Sequence, residues 1–138
     1  MLALVGLYAT LIVVAEPHPL HGSWQLVEIK TNDATLKSLD PARFRLAFTK
    51  DKMNIYIDGK KEVATSMLLK LDDAPKTKLI DLTPTDGPNK DNPSEGLYEI
   101  KGDELRICLG VSPKERPTSF EVKEETPWVL IVLKREKE

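Results

Sequence analysis

Two histidines near the start of the chain have the spacing of a metal-binding pair. His18 and His21 lie three positions apart, and their imidazole nitrogens are suitable ligands for copper or nickel. Two ligands do not complete a site, because protein sites for such metals normally supply three or four. We therefore predict no bound metal, and we interpret the pair as part of an exposed lead segment.

A thiol nucleophile is the second chemistry that the sequence offers. Cys108 is the only cysteine, so neither an intrachain disulfide nor a thiolate metal cluster can form. Thiol catalysis requires a histidine base close to the sulfur, yet both histidines lie in the N-terminal segment. We expect Cys108 to be inert on the face of its strand opposite Ile107, as either a buried or a half-exposed side chain.

Charged side chains do not form a convincing site either. The chain has 22 acidic residues, so pairs such as Asp72 and Asp73 arise by chance. Arg116 could contact an anion, but an ion-paired or solvated arginine is the more common situation. The net charge of −2, with both signs interspersed, provides no basic surface for nucleic acid. The sequence thus predicts no catalytic residues, no cofactor and no nucleic-acid partner.

The start of the chain predicts export. Residues 1–15 are apolar and uncharged, and they end in Val13-Val14-Ala15, a small-residue pattern that precedes signal-peptide cleavage. The segment is too short for a transmembrane helix, so no stable membrane span is expected. A trimmed gene start, or an element packed on the body, is the alternative. With cleavage after Ala15, residues 16–22 form a flexible lead and residues 23–138 an exported domain, periplasmic or extracellular.

Apolar residues alternate from Ser23 onward, which predicts one all-β domain. Asp33 can cap a short helical turn, Asp58-Gly59 and Gly102 suit tight turns, and the polar stretch from Pro84 to Glu95 suits a loop. The predicted strands are SWQLVEIK, RFRLAFTK, MNIYIDG, EVATSMLLKLD, KTKLIDLTP, GLYEIK, DELRICLG, TSFEVKE and PWVLIVLKRE. Eight or nine such strands, joined mostly by neighbouring turns, favour an antiparallel up-and-down β-barrel over a sandwich.

The inward faces of these strands offer a candidate ligand site. Barrels of about eight strands either hold one small ligand or fill their interior with side chains. In the first case the protein binds a small apolar or amphipathic molecule; in the second it is a structural or protein-interaction module, with a protein or cell-envelope partner. The side chains expected to line the ligand site are Phe44, Phe48, Met53, Met67 and Leu69.

Two motifs resemble those of lipocalin-like barrels. Gly22-Ser23-Trp24 is similar to the Gly-x-Trp of that group, and Arg135 to its late arginine, which implies that Arg135 lies across Trp24 and closes the barrel base. More narrowly, the chain from Leu20 to Arg135 resembles a lipocalin-like domain family that is abundant in planctomycete bacteria. The segments that carry this resemblance are LHGSWQLVEI, FRLAFTKDKMNIYIDGK, KTKLIDLTP, GLYEIKGDELRICLG, RPTSFEV and VLKR. The resemblance implies a small lipocalin-like barrel, found in exported or multidomain proteins, and no established activity.

The predicted signal peptide can be tested directly. We expect the exported protein to begin at Glu16, because cleavage follows the small residue Ala15. N-terminal sequencing of protein recovered from outside the cytoplasm measures this, and an intact Met1 would contradict it.

Overall fold

Eight antiparallel strands form a closed barrel in the computed structural model, which describes residues 18–111, 115–123 and 125–136. Each strand pairs with the next along the chain, and β8 pairs with β1. The strands are β1 (Gly22–Thr31), β2 (Phe44–Phe48), β3 (Lys52–Ile57), β4 (Thr65–Asp72), β5 (Lys78–Pro84), β6 (Ser94–Lys101), β7 (Glu104–Gly110) and β8 (Trp128–Arg135). The predicted all-β up-and-down barrel is confirmed. Residues 1–15, with the predicted signal peptide, lie outside the described residues.

Alternation along each strand separates an apolar interior from the outer surface. Trp24 and Leu26 of β1 point inward, and a β-bulge between Leu26 and Glu28 adds one residue before Ile29 points inward again. The extra residue, Val27, is left on the surface, where 53% of it is exposed. Across the strands, inward residues oppose one another in the pairs Trp24–Leu46, Leu46–Ile55, Met53–Met67 and Leu69–Leu82.

Within the described residues, helix occurs in the connection between β1 and β2. The helix α1 (Ala34–Lys37) begins where the Asp33 carboxylate accepts a hydrogen bond from the Leu36 amide at 2.9 Å, so the predicted cap is confirmed. A 3₁₀ helix (Pro41–Arg43) follows it and leads into β2. No helix in the described ranges is long and apolar enough to cross a bilayer.

The base of the barrel is closed by Trp24, Arg135 and the segment before β1. The Arg135 guanidinium lies 4.1 Å from the centre of the Trp24 ring and donates to the carbonyl oxygens of Pro19 at 2.7 Å and His21 at 3.3 Å. Trp24 Nε1 donates to the Leu20 carbonyl oxygen at 3.0 Å. Leu20 itself is fully buried in the core. Residues 18–21 of the predicted flexible lead therefore lie against the base, where the Leu20 side chain is buried and Arg135 bonds to the backbone.

The segment TSFEVKE does not form the predicted ninth strand. The ladder is already complete, since β8 pairs with both β7 and β1 and leaves no edge for a further strand. Residues 115–123 and 125–127 instead cross the outside of the barrel as a strap. Side chains of the strap and of the start of β8 cover an outer patch of β7 and β8, namely Phe120, Val122 and Trp128 over Cys108, Leu130 and Val132.

Two other predicted strand boundaries are wrong, while the predicted turn residues are confirmed. Strand β4 begins at Thr65 rather than at Glu62, and β6 begins at Ser94, inside the stretch interpreted as a loop. Strand pairing sets both boundaries, because Thr65 pairs with Ile55 and Ser94 pairs with Leu82 on the neighbouring strand. The turn residues adopt positive φ as expected, at Asp58 (56°), Gly59 (70°) and Gly102 (62°).

Replacing Trp24 by alanine should cost about 3 to 5 kcal/mol of unfolding free energy, because it empties the centre of the closed base and removes a buried hydrogen bond. Urea unfolding followed by circular dichroism measures the loss. As a control, Trp128→Ala removes the other tryptophan, which is partly exposed on the outer face, and should cost less. A loss under about 1 kcal/mol for Trp24→Ala would show that the base does not depend on this side chain.

Candidate functional site

The mouth, opposite the base, contains an apolar cavity of about 350 Å³. Its wall is formed by the mouth ends of the strands, and α1 and the residues after it contribute Leu36 and Leu39 at the rim. Leu36 and Leu39 lie three positions apart, so the capped turn presents both on one side. The barrel therefore forms the wall of the cavity, and the β1–β2 connection covers part of its opening.

The structure divides the five predicted lining residues between two regions. Phe44, Met53 and Met67 line the cavity. Phe48 and Leu69 are packed in the core outside the cavity wall, where they are only 2% and 7% exposed. The parity of the strands predicts which side chains point inward, but it does not tell which of them border empty space.

Side-chain size explains the difference between the mouth, which contains the cavity, and the described part of the base, which is packed with large side chains. Trp24, Phe48 and Tyr98 fill the base as large buried rings, and Leu20 from the segment before β1 adds to them. The wall of the mouth has one ring, Phe44, among aliphatic and methionine side chains, and small residues at Ser94 and Gly110. Methionine side chains adapt to different shapes, which suits a cavity wall.

The cavity residues that sequence reasoning missed include Leu36, Leu39 and Ser94. The two leucines carried a usable signal, since they share one side of a turn that Asp33 caps. Ser94 carried none, because only its pairing with Leu82 shows that it belongs to a strand and faces inward. Outside the barrel, a wider depression of about 570 Å³ beside Val27 is lined largely by charged residues.

A cluster of three titratable residues lies at the base. The Leu20 amide donates to His18 Nδ1 at 3.0 Å, so the ring carries its proton on Nε2 and donates it to Asp73 Oδ2 at 2.7 Å. The Tyr98 hydroxyl donates to Asp73 Oδ1. With both ring nitrogens and the phenol engaged, the cluster has no group directed at a substrate, and it ties the segment before β1 to the β4–β5 connection.

Burial and the cluster's hydrogen bonds change two pKa values. Burial, together with the bond to Asp73, raises the pKa of the Tyr98 hydroxyl well above its ordinary value, so the phenol stays protonated. Burial also acts to raise the pKa of Asp73. The hydrogen bonds from Tyr98 and His18 outweigh it, and the pKa of Asp73 lies below its ordinary value. Asp73 is thus ionised and accepts hydrogen bonds from His18 and Tyr98.

The other residues considered from the sequence have structural roles. The rings of His18 and His21 lie 5.7 Å apart, and no group of three or more possible metal ligands occurs in the described part of the chain. Cys108 is fully buried under the strap, and burial raises the pKa of its thiol to about 11. Arg116 of the strap is ion-paired with Asp81 at 2.9 Å and donates to the Gly96 carbonyl oxygen at 2.8 Å.

Comparison with protein-family models, with curated proteins and with solved structures finds no match to the chain. The barrel and the geometry of its cavity are therefore the basis for inferring a function.

Replacing Asp73 by asparagine should make the unfolding free energy less sensitive to acid. Because the pKa of Asp73 is lowered by folding, its stabilising contribution is present above the pKa of the unfolded chain, about 4, and is lost as the pH falls through the lower folded value. The parent should therefore lose stability relative to Asp73→Asn between about pH 5 and pH 2. We expect a difference under about 1 kcal/mol, since 39% of the Asp73 side chain is exposed.

Urea unfolding at a series of pH values measures this difference. Asp86→Asn is the matched control, because Asp86 is an exposed carboxylate of the β5–β6 loop, and its pH profile should run parallel to that of the parent. Parallel profiles for Asp73→Asn and the parent would contradict the stabilising role of the cluster.

Proposed function

We propose that this protein is a non-catalytic barrel that binds a small apolar or amphipathic ligand in its mouth. The observation that carries the proposal is the cavity of about 350 Å³, whose wall is almost entirely hydrocarbon. Ligand sites in proteins are typically concave and mostly apolar, with volumes from about 300 Å³ upward. The alternative of a filled interior fits the base of the barrel and not the mouth.

The size of the cavity limits the ligand. A protein cavity of about 150 Å³ accommodates one benzene molecule. The cavity here has roughly twice that volume, so its ligand has on the order of a dozen nonhydrogen atoms. The half-buried Leu36 and Leu39 at the rim contact both the cavity and solvent. A displacement of α1 would widen the entrance without opening the strand ladder.

The non-catalytic part of the proposal follows from the chemistry of the wall. Its described side chains are aliphatic groups, two thioethers, one phenyl ring and one hydroxyl, none of which is an acid or base near neutral pH. The same proposal includes a lipocalin-like relationship and export. The up-and-down order of strands and the Arg135–Trp24 contact at the base support the relationship. Export is supported by the sequence of residues 1–15.

Replacing Met67 by tryptophan should abolish ligand binding with little change in stability. Met67 lines the cavity on β4, and the larger indole should occupy the empty volume. The probe is the uncharged dye N-phenylnaphthylamine, whose fluorescence rises in apolar surroundings. We expect the parent to bind the dye and Met67→Trp not to bind it, with urea stability within about 1 kcal/mol of the parent.

The neighbouring residue provides a matched control. Leu68 lies on the outer face of the same strand and is 47% exposed, so Leu68→Trp adds an indole outside the cavity and should leave dye binding intact. If the parent binds no dye and Met67→Trp is destabilised by about 1 to 3 kcal/mol, the interior is close-packed. That result would favour a structural or interaction module over a ligand carrier.

A further inference from the structure

The wall of the cavity has one polar side chain within the described residues, the hydroxyl of Ser94. All other side chains there are hydrocarbon or thioether groups. A hydroxyl donates one hydrogen bond and accepts two, so it can pair with a polar group of a ligand. In an apolar site, one such group determines the orientation in which a ligand binds.

Strand pairing directs Ser94 at the cavity. Ser94 lies opposite Leu82 of β5, and residues opposite each other on paired strands point to the same face. Leu82 is buried in the core and also lines the cavity. Two residues further along β6, Gly96 has no room for a side chain, because the Leu109 side chain and the Cys108 carbonyl occupy the space. Ser94 is therefore the only position of β6 with a side chain in the wall.

The Ser94 hydroxyl is accessible from the cavity. It makes no side-chain hydrogen bond to the described residues, and no polar side-chain atom among them is both buried and without a partner. Ser94 is half-buried and lines the cavity. A bound molecule can reach this hydroxyl without displacing another protein group of the described chain.

The residues of the wall that the structure describes carry no charged side chain. Arginines of the described chain are paired elsewhere: Arg43 with Asp58 at 2.7 Å on the outer rim, and Arg116 with Asp81 on the outer face. Arg135 is held on Trp24 at the base. An ionised carboxylate moved among the hydrocarbon side chains would lose its hydration without gaining an ion pair, which is strongly unfavourable.

We infer that the cavity selects an uncharged amphipathic molecule with one hydrogen-bonding group, such as an alcohol or a ketone, and that Ser94 binds this group. The inference rests on the proposed ligand-binding function. It predicts different affinities for ligands that have the same hydrocarbon chain. A fatty alcohol should bind more tightly than the corresponding fatty-acid anion.

Displacement of N-phenylnaphthylamine by decanol and by decanoate at neutral pH tests the inference. We expect decanol to bind the parent more than about tenfold more tightly than decanoate, because only the anion must be desolvated unpaired. Ser94→Ala should weaken decanol binding by about threefold to tenfold, the effect of one hydrogen bond. Naphthalene, which forms no such bond, should displace the dye equally well from both proteins.

Two variants separate a role of the hydroxyl from a change in packing. Ser94→Thr keeps the hydroxyl and should retain the preference for decanol. Ser66→Ala removes a serine hydroxyl from β4 that bonds to Asn54 at 2.6 Å, away from the cavity wall, and should leave all three competitors unchanged. Circular dichroism and urea unfolding establish that each variant is folded.

The outcomes distinguish this inference from the proposed function. If the parent binds the dye but decanol and decanoate compete equally, selection of an uncharged ligand is wrong. If Ser94→Ala binds decanol as tightly as the parent, Ser94 does not bind the polar group. In both cases the ligand-binding function stands. If the parent binds neither dye nor competitor, the proposed function is wrong and the inference falls with it.

Discussion

The hydrogen-bonded pairing of β1 with β8 is the interaction on which the rest of the structure depends. It converts a row of eight strands into a closed barrel, so none of the eight described strands lies at the edge of an open sheet. Arg135 at the end of β8 stacks on Trp24 of β1 and also binds the carbonyl groups of the preceding segment. Arg135 thus joins the first and last strands of the described barrel. It also holds residues 19–21 against the bottom of the core.

Closure at the base allows the mouth to remain open. The barrel diameter is set by eight strands, and the buried rings of Trp24, Phe48 and Tyr98 fill it at one end. At the other end, smaller and more flexible side chains leave a cavity that Leu36 and Leu39 partly cover. The buried rings therefore stabilise the base, and the cavity lies at the opposite end of the barrel.

Charge and apolar surface are separated across the wall of the barrel. Arg116 and Asp81 pair on the outer face, where Arg116 also binds the carbonyl of Gly96, whereas the inner face near the mouth offers one hydroxyl. The strap buries Cys108 on the outside, which makes its thiol a packing group. Under the proposed function, selectivity in the cavity depends on shape and on the Ser94 hydroxyl rather than on ion pairs.

The sequence by itself determined the elements whose signals are local. Alternation of apolar residues predicted the strands, and Asp33 predicted the cap of α1. Asp58-Gly59 and Gly102 predicted turns that need positive φ. Each of these signals depends on residues close together in the chain. Only the tertiary structure decided the rest. The chain from Phe120 to Val122 alternates like a strand, but the closed barrel has no edge with which it could pair. Phe48 and Leu69 point inward and lie in the packed core, outside the cavity wall. Ser94 belongs to the cavity wall because it pairs with Leu82. These outcomes depend on which distant residues meet, and local pattern does not contain that information.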